Sequence, residues 1–192
     1  MFLLDFLKKK IKEKRGKRDY LKYGSGVIIS HPLFIIGKKR MTIGNGVRFL
    51  DGARIECISE HNGVVFDSYI HIGDNTSFEQ GAHITSAGAL DIGSNCVFSA
   101  RVMITNISHD YKQIGVNVLK QDYLVKNVEI GDNCFVGMDV KIFPGVKIGK
   151  NVIVGANSIV MTDLPDYSVC VGVPAKPIKK YSFETNNWER IK

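Results

Sequence analysis

The chain has 192 residues, 44% of them hydrophobic, and a formal net charge of +7, which suits one folded domain with a buried core and excludes a disordered or fibrous chain. Residues 1–22 hold nine Lys or Arg against three acids, so +6 of that charge sits at the N-terminus and the body is near neutral; a surface that tracks nucleic acid along its length is thereby disfavoured. Four cysteines without paired spacing point to a reducing compartment and not to a disulfide frame.

Residues 1–22 read as a basic amphipathic helix, with Leu3, Leu7 and Ile11 spaced by four, Phe2 and Phe6 beside them, and Lys and Arg on the remaining face. The apolar part comes first, is short, contains Asp5 and lacks a small-residue cleavage site, so the segment does not read as a secretory leader. It is also too short to span a bilayer. Two roles fit it: packing its apolar stripe on the end of the domain or on a neighbouring subunit, or docking on an anionic membrane face. Residues 23 to about 36 are apolar but irregular, broken at His31-Pro32, and read as an N-terminal cap.

A six-residue step then sets in at Ile43, Phe49 and Ile55, with Val47, Ala53 and Ser59 in a second register four residues beyond. It slips across Glu60 to Val65, where His61-Asn62-Gly63 reads as a protruding loop. The step resumes at Phe66, Ile72, Phe78 and Ile84, takes up two extra residues at Ser86-Ala87-Gly88, and continues through Ile92, Phe98 and Ile104. From Ile104 to Ile130 it is absent for 26 residues; it then returns unbroken as Ile130, Val136, Ile142, Ile148, Val154 and Val160, with Cys134, Val140, Val146, Val152 and Ser158 in the second register.

Six residues carry a helical side chain onto the wrong face, whereas in an extended chain six is even and keeps it on one side. The repeat is therefore a string of short strands. Gly131, Gly137, Gly149 and Gly155 are expected to supply the permissive backbone of tight corners. Three such edges close a triangular coil of about 18 residues that stacks on the next at about 4.8 Å, an all-β solenoid of parallel strands over residues 23–173. Cys96 and Cys134 fall on the inward register as core filler. An interruption as long as 105–127 must leave the stack as a loop, and loops of that size tend to carry function; this one holds Ser108-His109-Asp110-Tyr111. Residues 174–192 form a short tail, helix or strap, over the open end of the core.

The hexads, the excursion with His109, VEIGDNCFVGMDVKIFPGVKIG, VGANSIVMTDLP and VGVPAKPIK together resemble the hexapeptide-repeat acyltransferases. The similarity is to the branch of galactoside, maltose, xenobiotic and surface-polysaccharide O-acetyltransferases, and it spans residues 66 to 180. The resemblance implies a left-handed coil, a homotrimer, and acetyl-CoA grooves between adjacent subunits, with no metal. It implies that His109 is the catalytic base: a sugar hydroxyl is a poor nucleophile, and an imidazole takes its proton as it attacks the thioester carbonyl. Asp110 either orients that ring or points to water. Phe135 stands where relatives carry Trp beside the acceptor, and Glu79 falls near a position that faces the acceptor or is a solvated corner. For the cofactor arm the resemblance points to Gly137, Met138, Gly155 and Ala156, with Met161 where relatives have Thr, and to Lys176 and Lys179 for the CoA phosphates. A backbone N–H is expected to serve the tetrahedral oxyanion.

The function so implied is acetyl transfer from acetyl-CoA to a sugar hydroxyl of a bacterial surface polysaccharide or its precursor, in the cytoplasm or at the inner membrane face. The alternative is N-acetylation of a nucleotide-linked amino sugar; a non-catalytic solenoid would not need the loop with its histidine. A metalloenzyme on the same coil would need converging histidines, and no His pair here has the five-residue spacing such enzymes show. His71 and His83 sit at outward corners of their hexads and read as exposed surface.

Overall fold

The computed structural model describes residues 19–191. Its strands form three parallel sheets, the faces of a prism. The first face stacks Lys22–Tyr23, Met41–Ile43, Tyr69–Ile72, Ala89–Ile92, Val128–Ile130 and Lys147–Ile148. The second begins with Ile28–Ile29, Arg48–Phe49, Ser77–Phe78, Val97–Phe98, Phe135–Val136 and Ile153–Val154; the third stacks Phe34–Ile36, Arg54–Cys57, His83–Ser86, Met103–Thr105, Lys141–Ile142 and Ile159–Val160. The chain visits the faces in that order through six turns, as a left-handed parallel β-helix, opposite in hand to the usual parallel crossover.

The register puts each hexad aliphatic above its counterpart. Phe49, Phe78, Phe98, Val136 and Val154 form one interior column, in which Phe49 stacks on Phe78 at 4.4 Å and Phe78 on Phe98 at 4.6 Å. Cys96 and Cys134 are buried in a neighbouring column, and Cys57 and Cys170 are buried too. Corners need a residue in the left-handed region, and Asn and Asp fill that need beside glycine because their short polar side chains tolerate it: Asn75, Asn95, Asn133, Asn151 and Asn157 have φ of 54–59°, and Asp139 has 59°. The glycines expected there are not the ones that do it. Gly131, Gly137, Gly149 and Gly155 are required by coil stacking instead, since a Cβ on Gly137 would lie 2.6 Å from the Ala156 nitrogen and one on Gly149 2.6 Å from the Asp166 nitrogen.

Three boundaries differ from the sequence reading. The expected helix lies outside the described residues except for its last four, which form a turn and open the first strand at Lys22. The expected cap is a complete first coil; its pattern is irregular because only one neighbouring coil covers it, leaving Ile28, Leu33 and Ile36 more than half exposed. The tail is neither helix nor loose strap. Ser168–Gly172 continues the second face in parallel, and Ala175–Ser182 and Asn187–Arg190 add to it antiparallel, satisfying the ladder groups that the last coil leaves open. Among the described residues no helix is long and apolar enough to cross a membrane.

Candidate active site

The chain leaves the stack where a buried Asn106 replaces the next hexad position. Its Oδ1 accepts from Ala87 N at 2.9 Å, and its Nδ2 donates to Ser86 Oγ at 2.8 Å and Ala89 O at 3.1 Å. Lys126 N donates to Asn106 O at 3.0 Å and closes the base of the excursion. The extra residues at Ser86-Ala87-Gly88 are thus the seat of the loop. A Cβ on Gly88 would lie 2.6 Å from Val125 Cγ1, so the seat admits no side chain there.

The excursion is an arm of two antiparallel strands, Ile107–His109 and Tyr123–Val125, with His109 opposite Tyr123. Its tip is tied by Gln121, whose Nε2 donates to Gln113 O and Val116 O at 3.2 and 3.1 Å and whose Oε1 accepts from Gln113 N at 3.0 Å. The slip at Glu60 to Val65 is a second hairpin, Glu60–His61 with Val64–Val65, and it holds the arm down. The His61 ring stacks on Tyr123 at 3.8 Å with 7° between planes, and Asn62 Nδ2 donates to Leu119 O and Gln121 O at 3.3 and 3.2 Å. Tyr123 in turn meets the His109 ring at 5.1 Å, edge to face.

Between the arm and the third face lies a cleft of about 240 Å³, lined by Arg54, Glu56, His83, Thr85, Thr105, Tyr123 and His109 among others. Glu56 is only 8% exposed. Its Oε1 accepts from Arg54 Nε at 2.8 Å and lies 2.6 Å from the terminal Arg54 nitrogen. His83 Nε2 is 3.0 Å from Thr85 Oγ1; burial first, and then the Arg54 guanidinium, hold its imidazole below the usual histidine range. Burial and the Glu56 carboxylate push the Tyr123 phenol up. These groups form one electrostatically linked cluster, and His109 stands at its edge. The His109 Nδ1 atom is closed off from solvent and has no hydrogen-bond partner, which leaves Nε2 as the nitrogen a substrate can reach.

Asp110 does not orient that ring. Its Oδ1 accepts from Lys112 N at 3.0 Å and its Oδ2 lies 3.6 Å from Lys112 Nζ, so the carboxylate is spent on its own loop. Glu79 sits at the corner after Ser77–Phe78, its amide donating to Phe98 O at 2.8 Å, and does not line the cleft. His71 is exposed on the first face, but His83 is half-buried in the cleft, contrary to the expectation of open surface. Its hexad position does point outward; the arm covers it.

The remaining residues gather elsewhere. Phe135, 46% exposed, lies on the outer side of the second face in register with Ile153 and Val169. Met138, Gly155 and Ala156 follow at the next corner, coil upon coil, with Asn157 N donating to Met138 O at 2.8 Å. Lys176 and Lys179 are three apart and would alternate to opposite sides of a regular strand. A register shift at Val169/Cys170 pairs them with Val171 and Val169, two residues that face outward together, so both cations end on the same side as Phe135. Met161 is apart from them, exposed at the corner after Ile159–Val160. Gly137 is buried and Gly155 partly so, and the Cβ space of each is filled by the chain itself, by Ala156 and Val171 respectively; neither leaves a void for a ligand. One chain therefore carries the histidine cleft on its third face and the Phe135 to Lys176 stripe on its second.

A family described as bacterial transferase hexapeptide, six repeats, matches residues 127–161. A relative from Escherichia coli K12, provisionally named lipopolysaccharide biosynthesis O-acetyl transferase WbbJ, is 32% identical over 170 residues, which is 85% of this chain and 83% of the relative. Among solved structures, a maltose O-acetyltransferase from Clostridium difficile 630 superposes with a TM-score of 0.57 at 25% identity, over 85% of this chain and 71% of that one. AntD, an N-acyltransferase from Bacillus cereus in complex with dTDP and coenzyme A, reaches 0.70 at 22% identity over 90% and 91%.

Arg54, Glu56, His61, His83 and Tyr123 escaped the sequence reading as site residues. The signal that could have found two of them is alternation: continued from the inward Ala53 and Ile55, it puts Arg54 and Glu56 on the outer side of their strand. Nothing in the hexads says that an arm more than fifty residues later folds back over them.

Proposed function

The chain belongs to the bacterial transferase hexapeptide family and is an acyltransferase, and on that premise we propose that it moves an acetyl group from acetyl-CoA to a sugar hydroxyl of a bacterial surface glycan or its precursor, with His109 as general base. The observation that carries the role of His109 is its setting: an imidazole lining a cleft of mixed polar and apolar groups, on an arm that a second hairpin braces at Tyr123, Leu119 and Gln121, with one nitrogen shut away and the other open. Nε2 takes the hydroxyl proton as the oxygen attacks the thioester carbonyl. The CoA thiolate then leaves, and the imidazolium returns the proton to sulfur. A backbone N–H meets the oxyanion.

The acetyl-CoA arm runs along Phe135, Met138 and Ala156 toward Lys176 and Lys179, whose ammonium groups meet its phosphates. Since that stripe and the histidine occupy different faces of one chain, the working site joins the arm of one subunit to the stripe of the next in a homotrimer. The similarity to WbbJ over most of both chains supports a glycan acceptor. The basic residues 1–22 dock the trimer on the inner membrane face, where lipid-linked glycan precursors lie.

The test is His109→Ala. Acetyl transfer, followed as CoA release with acceptors drawn from free sugars, nucleotide sugars and lipid-linked glycans, is expected to fall about 10²–10⁴-fold with the melting curve unchanged; undiminished transfer would remove His109 as the base. Lability of the product to mild alkali separates an ester from the amide that an amino-sugar acceptor would give.

A further inference from the structure

The floor of the cleft holds groups that the reaction as described does not use. Glu56 is nearly buried and lines the cleft, and both of its contacts with Arg54 fall on Oε1, which leaves Oε2 without a protein donor among the described residues. Oε2 is not among the buried polar atoms that lack a partner, so it keeps access to solvent and a ligand hydroxyl can donate to it. Beside it, His83 has Nε2 engaged by Thr85 and Nδ1 free to meet a second polar group. Among the described residues Arg54 is the only Lys or Arg lining this cleft, and it is paired with Glu56.

We infer that this floor is the acceptor subsite and that it takes an uncharged glycosyl unit, whose adjacent hydroxyls bond to Glu56 Oε2 and the His83 imidazole. The inference rests on the reading of His109 as base, since it puts the acceptor under that ring. The charge pattern selects the class. A hydroxyl donates to Oε2 at no electrostatic cost, whereas a uronate or a phosphate in the same place would lie against the Glu56 charge and find no uncommitted cation. Tyr123 closes one wall and presents its ring to His109, so the glycosyl unit sits between the group that holds it and the group that deprotonates it. Thr85 and Thr105, with Ile58, Met103 and Ile107, complete the lining.

The experiment uses the full chain with methyl glucoside, methyl galactoside and methyl rhamnoside as neutral probes and methyl glucuronide as the anionic one. Binding is read by saturation-transfer NMR at millimolar sugar, with no need for turnover. Wild type is expected to bind at least one neutral glycoside and to bind the glucuronide about ten-fold more weakly or not at all. Glu56→Gln is expected to weaken the neutral glycoside about ten-fold and to narrow the gap to the glucuronide, leaving the KM for acetyl-CoA unchanged. Thr85→Val, which changes no charge and leaves the Arg54 pair intact, is a second variant, expected to weaken the same glycoside without moving the melting temperature. Equal binding of neutral and anionic sugars, no binding of any neutral glycoside, or unaltered binding in both variants would overturn the subsite. His109→Ala run in parallel separates the two readings: it is expected to bind the glycoside as wild type does while losing transfer. Full transfer in that variant would sink the base and not the subsite.

Discussion

Burial and the Arg54 guanidinium hold the His83 imidazole below the ordinary histidine range. An unfolded chain takes up that proton near pH 6.5, and the folded chain only at lower pH. Between the two values the unfolded state binds more protons, so this residue costs stability as pH falls below about 6.5 and costs nothing above it. His83→Asn, which keeps a polar group over Thr85, is expected to flatten the mildly acidic limb of a melting-temperature-against-pH curve and to leave the neutral limb unchanged; parallel curves would contradict the coupling to the cleft. At this scale sequence reading succeeds where a residue's reason is local. The inward hexad aliphatics and the buried Cys96 and Cys134 were legible because the register alone decides their side; Cys57 and Cys170, buried as well, were not. It fails where the reason is a second segment: His83 reads as surface until the arm covers it, and the coil glycines read as corner residues until the next coil is stacked on them. Asp110 reads as a ring partner or a solvated carboxylate, and the choice is made only by the turn that gives its carboxylate to Lys112.

Two interruptions of one period, far apart in sequence, form a single device. The hairpin after the second coil contributes the His61 ring and the Asn62 amide, and the arm after the fourth coil receives both through Tyr123, Leu119 and Gln121. Each interruption was visible as a slip in the hexads, and the size of the second marked it as functional; their contact was not, because nothing in a repeat states which insertions share a face. The physical consequence is that His109 is positioned by aromatic contact through Tyr123 rather than by a hydrogen bond to its ring. His61→Ala removes a stacked pair contributing about 0.5–1.5 kcal/mol and frees the arm to sample other positions. Its expected effect is a loss of up to about ten-fold in kcat with the KM for acetyl-CoA unchanged, and partial recovery in His61→Phe, which restores the stack. A change in acetyl-CoA KM alone would place the hairpin in donor binding instead.

The prism separates the two halves of the proposed chemistry. Strands of the second face and strands of the third face cannot turn toward one another, because both are fixed to the same closed core of interlocked columns. A base on an arm over the third face meets a thioester on the second face only if the faces belong to different copies of the chain, and a ring of three copies gives every arm such a neighbour. That arrangement has a count attached to it. A chain with His109→Ala keeps its stripe, and a chain with Lys176→Glu and Lys179→Glu keeps its arm, so each alone is inactive. Co-expressed in equal amounts they assemble at random, about three quarters of the trimers are mixed, and each mixed trimer contains one interface that joins an intact arm to an intact stripe. About one quarter of the wild-type sites should therefore return, read as acetyl transfer per trimer in a preparation whose mass is checked by light scattering. Sites built within single chains would return none, whatever the mixing ratio, because no chain in the mixture carries both halves.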